Sequence, residues 1–256
     1  MRLGLEGRRG LVTGGSKGLG EAIARELVSE GARVAICARN EEEVTATAEA
    51  VGAEYSQAAD VTDSEQVRDL IARTAQALGG IDFLVNNAGG AHPGTFQTLS
   101  DDDWAADLDV KLFSLIRCSR EALPHLRAAG GGRIINIGAV YSRYPDPAFF
   151  ATSVNRAAGN SFTKTLALEV AKDNILVNGV NIGFVITPQW ENIRRKRAPE
   201  STREDFFEHW AAQEVPLGRF GLPDEVSGLV AFLLSDRATY ITGASIDVAG
   251  GMGKYV

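Results

Sequence analysis

The sequence predicts an α/β protein built on a doubly wound sheet of seven parallel strands, with helices on both faces. Short apolar runs alternate with longer segments of helical period along the whole chain, a pattern typical of βαβ units. Right-handed crossovers between the strands place helices on both sides of the sheet. Because the 256 residues contain neither a linker rich in Pro, Gly and Ser nor an internal repeat, we expect one domain over residues 1–256.

The first half of the chain supplies four strands and three helices. The strands are short apolar runs, predicted at Gly10–Thr13, Arg33–Ala38, Ala53–Ala58 and Ile81–Asn86. The segments between them repeat apolar residues at helical spacing, which predicts helices at Leu19–Glu30, Glu41–Val51 and Ser64–Leu78.

The second half continues the alternation with three strands and three helices. The apolar runs predict strands at Arg133–Ile137, Leu176–Val180 and Ser245–Val248. The helical patterns fall at Asp102–Ala128, Ser153–Ala171 and Pro223–Leu234. Ser100 and Asp103 have the spacing of a capping box, which marks the start of the first of these helices.

A highly charged segment at about 188–216 interrupts the alternation. A long excursion near the end of an open sheet is typical of a lid or substrate loop, and we expect that role here. The segment carries the basic run Arg194-Arg195-Lys196-Arg197. This run either meets an anionic substrate or forms a solvated helix face, and the sequence leaves both interpretations open.

Charge, cysteine and histidine usage exclude several function classes. With 26 basic and 33 acidic residues the formal net charge is −7, so nucleic acid is not an expected partner. Cys37 and Cys118 are too few for a disulfide framework or a cysteine metal site, and His92, His125 and His209 lack metal-ligand spacing. Without an apolar run of signal or membrane-spanning length, we expect a cytoplasmic protein that uses neither metal nor membrane.

A glycine-rich turn follows the first predicted strand and opens the first predicted helix. It reads Thr13-Gly14-Gly15-Ser16-Lys17-Gly18-Leu19-Gly20, a Gly-x3-Gly-x-Gly pattern. Glycines let the backbone turn tightly and approach a pyrophosphate, whose charge is favoured at a helix N-terminus. In this strand-turn-helix context the pattern predicts a Rossmann-type dinucleotide site formed by Gly14, Ser16, Lys17, Gly18, Leu19 and Gly20.

The end of the second predicted strand indicates which dinucleotide binds. The run Ile36-Cys37-Ala38-Arg39-Asn40 offers no carboxylate to a ribose 2′-hydroxyl. Arg39 and Lys17 instead place positive charge where a 2′-phosphate would lie. We therefore expect NADP(H) rather than NAD(H).

Two further motifs are Asp60-Val61 and Asn86-Asn87-Ala88-Gly89. With them, the chain resembles the short-chain dehydrogenase/reductase family over nearly its whole length. The resemblance implies that Thr187 bonds the nicotinamide amide, and that other cofactor contacts come from Asp60, Val61, Asn87, Ala88 and Gly89. It also implies a small-molecule substrate and a homodimer or homotetramer built on the helices at Asp102–Ala128 and Ser153–Ala171. The family usually has Pro-Gly where this chain has Ile182-Gly183.

All four residues with which this family usually reduces carbonyls are replaced. Aligned without a gap, the family's Asn, Ser, Tyr and Lys correspond to Lys111, Ala139, Thr152 and Arg156. No tyrosine of the chain is followed four residues later by lysine, so no shifted alignment restores the pattern. Because a threonine hydroxyl is a very weak acid and arginine stays protonated, ketone reduction by the usual route is not expected.

The loop between Ala139 and Thr152, which the family places over the nicotinamide, supplies other groups. Its run Pro145-Asp146-Pro147-Ala148-Phe149 is similar to one in an atypical branch of the family from fungal indole-alkaloid pathways. Members of that branch reduce imines or iminium ions, and some also guide a cycloaddition. Asp146, held between two prolines, either is preorganised beside the substrate or only caps the turn.

These observations lead to two hypotheses of function. The leading one is an NADPH-dependent reductase of an imine, an iminium ion or a conjugated C=C bond. The alternative is a protein that binds NADP(H) without redox turnover, as a scaffold, a sensor or a cyclase.

For the reductase we expect each candidate catalytic residue to have its own role. Asp146 would stabilise a cationic substrate, Arg156 would hold the nicotinamide ribose, and Lys111 would supply a proton or fix a polar group. A conjugated alkene would instead place its developing enolate against Lys111 and Arg156. We expect substrate contacts from Tyr141, Tyr144, Phe149, Thr152 and Trp190, and only a small contribution to turnover from the Thr152 hydroxyl.

Overall fold

Seven strands form one parallel sheet in the structure, a computed structural model that describes residues 2–253. The strands are β1 (Arg9–Thr13), β2 (Arg33–Ala38), β3 (Tyr55–Ala58), β4 (Phe83–Asn86), β5 (Gly132–Ala139), β6 (Ile175–Ile182) and β7 (Ser245–Val248). Their order across the sheet is β3-β2-β1-β4-β5-β6-β7, and every neighbouring pair is parallel. The predicted doubly wound α/β fold is therefore confirmed.

Nine α-helices connect and flank the strands within residues 2–253. They are α1 (Gly18–Ser29), α2 (Glu41–Val51), α3 (Ser64–Leu78), α4 (Asp101–Leu108), α5 (Ser114–Ala128), α6 (Phe150–Val170), α7 (Pro188–Arg197), α8 (Arg203–Glu214) and α9 (Pro223–Leu234). The capping box predicted at Ser100 and Asp103 is present at the start of α4.

The long helix predicted at Asp102–Ala128 is wrong in one respect. A π-helical turn at Asp109–Phe113 separates α4 from α5, and the Ser114 amide donates to the Asp109 carbonyl oxygen. Inserting one extra residue into a turn leaves the apolar spacing on either side almost unchanged, so the sequence pattern did not show it. The turn carries Lys111, whose side chain is completely buried.

Helix α6 and strands β5 and β6 have limits that differ from those predicted. Helix α6 begins at Phe150 rather than Ser153, because the Phe150 amide donates to the Gly94 carbonyl oxygen 3.1 Å away. Strands β5 and β6 each extend beyond the predicted apolar runs and pair continuously from Gly132–Ile175 to Ala139–Ile182. This extension carries the sheet to the edge of the cavity described below.

Alternate residues of each strand face opposite sides of the sheet and build two separate cores. In β1, Val12 packs in one core with Ile23 and Val230, whereas Leu11 packs in the other with Leu70. All of these side chains are fully buried. Both faces of the sheet are thus covered, as a parallel sheet requires.

The charged segment at about 188–216 is mostly helical and has an apolar underside. Trp190 of α7 packs with its ring centroid 4.6 Å from that of Phe184 and 5.1 Å from that of Phe220. Phe206 and Phe207 of α8 belong to the same buried cluster. The segment is thus fixed by a third, smaller core. Among residues 2–253, no helix combines the length and the apolar character that crossing a membrane requires.

Candidate active site

A cavity of about 1060 Å³ opens at the carboxyl ends of the strands. It lies where the strand order reverses between β1 and β4, the position at which ligands bind open α/β sheets. Its wall includes all of the residues predicted to bind the cofactor, from Gly14 to Thr187. Of the predicted substrate contacts, the wall includes Tyr141, Phe149, Thr152 and Trp190 but not Tyr144.

The glycine-rich turn forms the floor of the cavity at one end. Gly18 has a φ of +60°, a left-handed backbone that favours glycine. A Cβ atom on Gly20 would lie 2.1 Å from the Gly14 carbonyl oxygen, so a larger residue there would force the turn open. The N-terminus of α1 consequently faces an open space lined by backbone.

Asn87 joins this turn to the end of β4. Its side-chain amide donates to the carbonyl oxygens of Thr13 at 2.9 Å and Gly14 at 3.1 Å. The Thr13 hydroxyl in turn accepts from the backbone amides of Asn87 and Ala88, each at 3.0 Å. The two central strands are thereby held in a fixed relation beside the cavity.

At the far end of the cavity the two predicted phosphate ligands differ in their surroundings. Arg39 is exposed and lines the wall. Lys17 also lines the wall, but its ammonium lies 2.9 Å from the Glu43 carboxylate. Asp60 accepts from the amide and the hydroxyl of Thr62, at 2.9 Å and 2.8 Å, which fixes its side chain at the wall. Arg39 is therefore the better placed of the two cations.

Lys111 is the centre of a buried polar cluster behind the opposite wall. Its ammonium contacts the Asp107 carboxylate and donates to the Thr152 hydroxyl at 2.6 Å. The second carboxylate oxygen of Asp107 accepts from the Asn155 side-chain amide at 2.8 Å. Lys111 itself does not line the cavity, but Thr152 does. The hydroxyl of Thr152 therefore links the Lys111 ammonium to the cavity.

Burial and a neighbouring cation change the acidity of this cluster. Loss of hydration, and then the charge of Arg156, lower the pKa of Lys111 to about 8, although Asp107 opposes this change. Burial likewise lowers the pKa of Arg156 to about 10. Lys111 is thus a much stronger proton donor than a solvated lysine.

Arg156 occupies the cavity wall next to the glycine of the Asn-Ala-Gly motif. One guanidinium nitrogen donates to the Ile137 carbonyl oxygen at 2.7 Å. A Cβ atom on Gly89 would lie 2.8 Å from another of its nitrogens. A side chain at position 89 would therefore displace Arg156. Ala139, which also lines the wall, contributes no hydroxyl.

Asp146, predicted to stabilise a cationic substrate, does not have its side chain in the cavity wall. Its carboxylate accepts from the Ala148 amide at 2.8 Å, and its own amide donates to the Ser153 hydroxyl at 3.1 Å. An aspartate that bonds the backbone two residues ahead forms an Asx turn. Burial, and then the nearby Asp146 carboxylate, raise the pKa of Tyr141.

Aromatic side chains form the substrate end of the cavity. Phe149 is buried and stacks on Tyr141 with a centroid separation of 5.2 Å. The loop that carries Phe149 is held to the segment after β4, since the Gly94 amide donates to the Ala148 carbonyl oxygen at 2.8 Å. Trp190 contributes to the wall and also packs in the core beneath α7.

Asp107 and Asn155 were not identified from the sequence as site residues. The four-residue spacing from Asp107 to Lys111 was the available signal, because it puts both side chains on one helix face. His92 lines the cavity, with its ring nitrogens 3.3 Å from Asp103 and 3.9 Å from Asp107. Within the described residues, no group of three or more acidic, histidine or cysteine side chains has an arrangement suited to a metal.

Comparison with known proteins identifies the family. Residues 14–253 match a family model described as enoyl-(acyl carrier protein) reductase. A 3-oxoacyl-(acyl-carrier-protein) reductase from Thermotoga maritima is 34% identical over 252 residues, which cover 97% of this chain and 98% of that protein.

Solved structures give the same result. L-sorbose reductase from Gluconobacter frateurii, complexed with NADPH and L-sorbose, has a TM-score of 0.97 and 33% identity, with 100% of both chains covered. A short-chain oxidoreductase from Pseudomonas aeruginosa, described as containing an atypical catalytic center, has a TM-score of 0.92 and 34% identity, covering 99% of this chain and 100% of that one. By sequence and by structure, the chain thus belongs to the short-chain dehydrogenase/reductase family of oxidoreductases.

Proposed function

We propose that this protein is an NADPH-dependent reductase of a neutral acceptor, a carbonyl compound or a conjugated C=C compound, with Lys111 as the source of the proton. The observation that carries the proposal is the 2.6 Å contact between the Lys111 ammonium and Thr152, a residue of the cavity wall. This contact supports the proposal because it joins an acid, Lys111, to Thr152, the residue that replaces the family's usual tyrosine.

The cavity fits a phosphorylated dinucleotide. The pyrophosphate would lie at the glycine-rich turn, where a Cβ atom at Gly20 would collide with backbone. Arg39 would hold the 2′-phosphate, and Asp60 would flank the adenine. Arg156 and Thr187 would hold the nicotinamide half. When bound, NADPH supplies the hydride.

The chain's own residues supply the proton. Because the Thr152 hydroxyl oxygen accepts from Lys111, its own hydrogen is free to point into the cavity. As negative charge develops on the acceptor, Thr152 would donate that hydrogen and take one from the Lys111 ammonium in the same step. This concerted transfer avoids a threonine alkoxide, and it leaves Lys111 neutral beside Asp107.

The charge of the cluster favours a neutral acceptor over an iminium ion. Asp107 balances one positive charge, whereas Lys111 and Arg156 carry two. An iminium ion would be repelled by the remaining charge, while an enolate or alkoxide would be stabilised by it. Asp146, the carboxylate that an iminium substrate would need, is not part of the cavity wall.

Relatives give independent support for the cofactor and the reaction. L-sorbose reductase from Gluconobacter frateurii was solved with NADPH and a sugar substrate. The Pseudomonas aeruginosa oxidoreductase with an atypical catalytic center was also solved with NADPH bound. A reductase of this family therefore need not have the usual catalytic residues to retain the cofactor.

The test is a screen of NADPH consumption against ketones, enones and cyclic imines. We expect turnover with at least one ketone or enone, and loss of that turnover in Lys111→Met, with NADPH still bound. Turnover confined to cyclic imines would favour the iminium hypothesis. Tight NADPH binding without any turnover would favour a scaffold, sensor or cyclase.

We further propose that residues 188–216 act as a lid on a single nucleotide-binding domain, and that the protein is a homodimer or homotetramer. Exposed apolar side chains support assembly through the segments between Asp102 and Ala171: Phe113 is 42% exposed, Val154 48% and Leu168 72%. Light scattering would measure the mass, and a monomer would contradict the proposed assembly.

A further inference from the structure

We propose that the acceptor carries an anionic group, a carboxylate or a phosphate, and that Lys196 and Arg197 at the end of α7 bind it. This inference rests on the proposed reductase function, since it names the class of molecule that the same cavity accepts.

Helix α7 extends from the cofactor end of the cavity to its substrate end. At its start, Pro188 lies 3.2 Å from where a Cβ of Gly18 would be, directly over the glycine-rich turn. At its end, the Arg197 guanidinium lies 6.0 Å from the centre of the Phe149 ring. Nine residues of helix separate these points by about 14 Å. Lys196, which is part of the cavity wall, and Arg197, which lies beside Phe149 without being part of the wall, are thus placed at the substrate end, well beyond the turn.

One face of α7 is directed into the cavity. Gln189, Ile193 and Lys196 all line it, and their spacing of four and three residues places them on the same side of the helix. Gln189 also accepts from the Ala91 amide at 2.8 Å, which fixes α7 against the loop after β4. The Lys196 side chain is consequently part of the cavity wall rather than of a fully solvated face.

The two cations are not neutralised within the described chain. Arg194, by contrast, pairs with Glu191 at 3.3 Å and donates to the Ser201 carbonyl oxygen at 2.8 Å. Among residues 2–253, no ion pair involves Lys196 or Arg197. The basic run is therefore divided: Arg194 stabilises the lid, whereas Arg195, Lys196 and Arg197 have no ion pair among residues 2–253, and of these only Lys196 lines the cavity.

The carboxylates around this end of the cavity differ in their partners. Asp107 is held by Lys111 and Asn155, and Asp109 lies 2.7 Å from Arg117, whereas Asp146 and Glu214 act on the Tyr141 hydroxyl. Lys196 and Arg197 nevertheless place two adjacent positive charges at this end of a chain whose net charge is −7. Such a focused potential attracts an anion and raises its local concentration.

The geometry of Arg197 suits a carboxylate or a phosphate. Its guanidinium is positioned by the ring of Phe149, which lines the cavity. The edge of the guanidinium still offers several N–H donors in a planar arrangement, which matches two oxygens of one anion. Lys196 would add a second charge to the same group.

Two pairs of probes separate the charge from the rest of the acceptor. The first pair is 4-oxopentanoate and its methyl ester, and the second is dihydroxyacetone phosphate and dihydroxyacetone. Calorimetry on the complex with NADP⁺ measures binding, and NADPH consumption measures turnover. We expect the protein to bind at least one anion about 10-fold more tightly than its neutral partner, with the difference decreasing as salt is added.

The double variant Lys196→Ala/Arg197→Ala assigns the effect to α7. We expect it to raise the KM of the preferred anion about 10-fold, with kcat and the KM of the neutral partner nearly unchanged. Arg195→Ala, in the same basic run but lining a separate groove with Glu191 and Arg203, is the matched control and should change neither. Preference for the carboxylate or for the phosphate would identify the group.

The outcomes distinguish the two proposals. Reduction of neutral and charged acceptors with equal KM, or no binding of either anion, would overturn the anionic substrate and leave the reductase function intact. Selective binding of an anion without any turnover would support the site and contradict the reductase function. An effect of Arg195→Ala as large as that of the double variant would show that the effect comes from the overall surface charge and not from a site formed by Lys196 and Arg197.

Discussion

The ammonium of Lys111 donates to the hydroxyl oxygen of Thr152 at 2.6 Å while it contacts the carboxylate of Asp107. The Thr152 hydroxyl thus lies between an acid, the Lys111 ammonium, and the cavity. Threonine is too weak an acid to protonate an acceptor by itself, but here it can relay a proton from Lys111 to the acceptor.

The lowered pKa of Lys111 predicts how the reaction responds to pH. Reduction needs the protonated amine, so kcat/KM should be constant below about pH 8 and decrease above it, while the reverse oxidation should increase over the same range. The neighbours that set this pKa are Arg156 and Asp107, and His92 faces Asp107. Rate profiles measured in both directions test it. A reduction rate that stayed constant well above pH 8 would contradict the role of Lys111.

Contrary to the expectation from the sequence, removing the Thr152 hydroxyl should interrupt proton transfer, because Lys111 donates to it. Thr152→Val keeps the shape of the side chain, and we expect it to lower kcat by about 100-fold with an unchanged Kd for NADPH. Thr152→Ser is the matched control and should keep most of the activity. Asp146→Ala should lower kcat only a few-fold, through its turn. A loss of about 100-fold in Asp146→Ala with full activity in Thr152→Val would reverse the assignment.

Cofactor preference should depend on Arg39 and be weakened by Glu43. Arg39→Asp should reduce or reverse the preference for NADPH over NADH. Glu43→Gln should tighten NADPH binding about two-fold, because it releases Lys17 from its 2.9 Å ion pair. Fluorescence titrations with both nucleotides measure these affinities. Equal affinities of the unmodified protein for NADPH and NADH would contradict the assignment.

The buried ion pair should be visible in stability as well as in turnover. Asp107→Leu leaves the Lys111 amine buried without its partner, and we expect a loss of about 3 kcal/mol in the free energy of unfolding. The double variant Asp107→Leu/Lys111→Met removes both charges and should recover most of that loss. Urea denaturation of the two variants provides the measurement, and additive losses would show that the pair is not coupled.

The general fold could be predicted because its signals are local. Apolar alternation defined the strands and helices, and the glycines of the turn need no distant partner to be recognised. The position of Asp146 could not be predicted, because an aspartate between two prolines can bond either the backbone of its own turn or a substrate. The pairing of Lys17 with Glu43 joins two elements that are neighbours only after folding. Lys111 was identified by resemblance, but its burial depends on the π-helical turn.

The π-helical turn also determines how α5 is rotated about its axis relative to α4. Each residue of an α-helix advances the direction of its side chains by about 100°. Deleting one residue from Asp109–Phe113 would restore a continuous helix and rotate α5 by that angle relative to α4. The face of α5 that buries Cys118, Ala122 and Leu126 against the sheet would then point elsewhere. The fold should therefore tolerate substitutions at positions of the turn other than Lys111 far better than any change in the length of the turn.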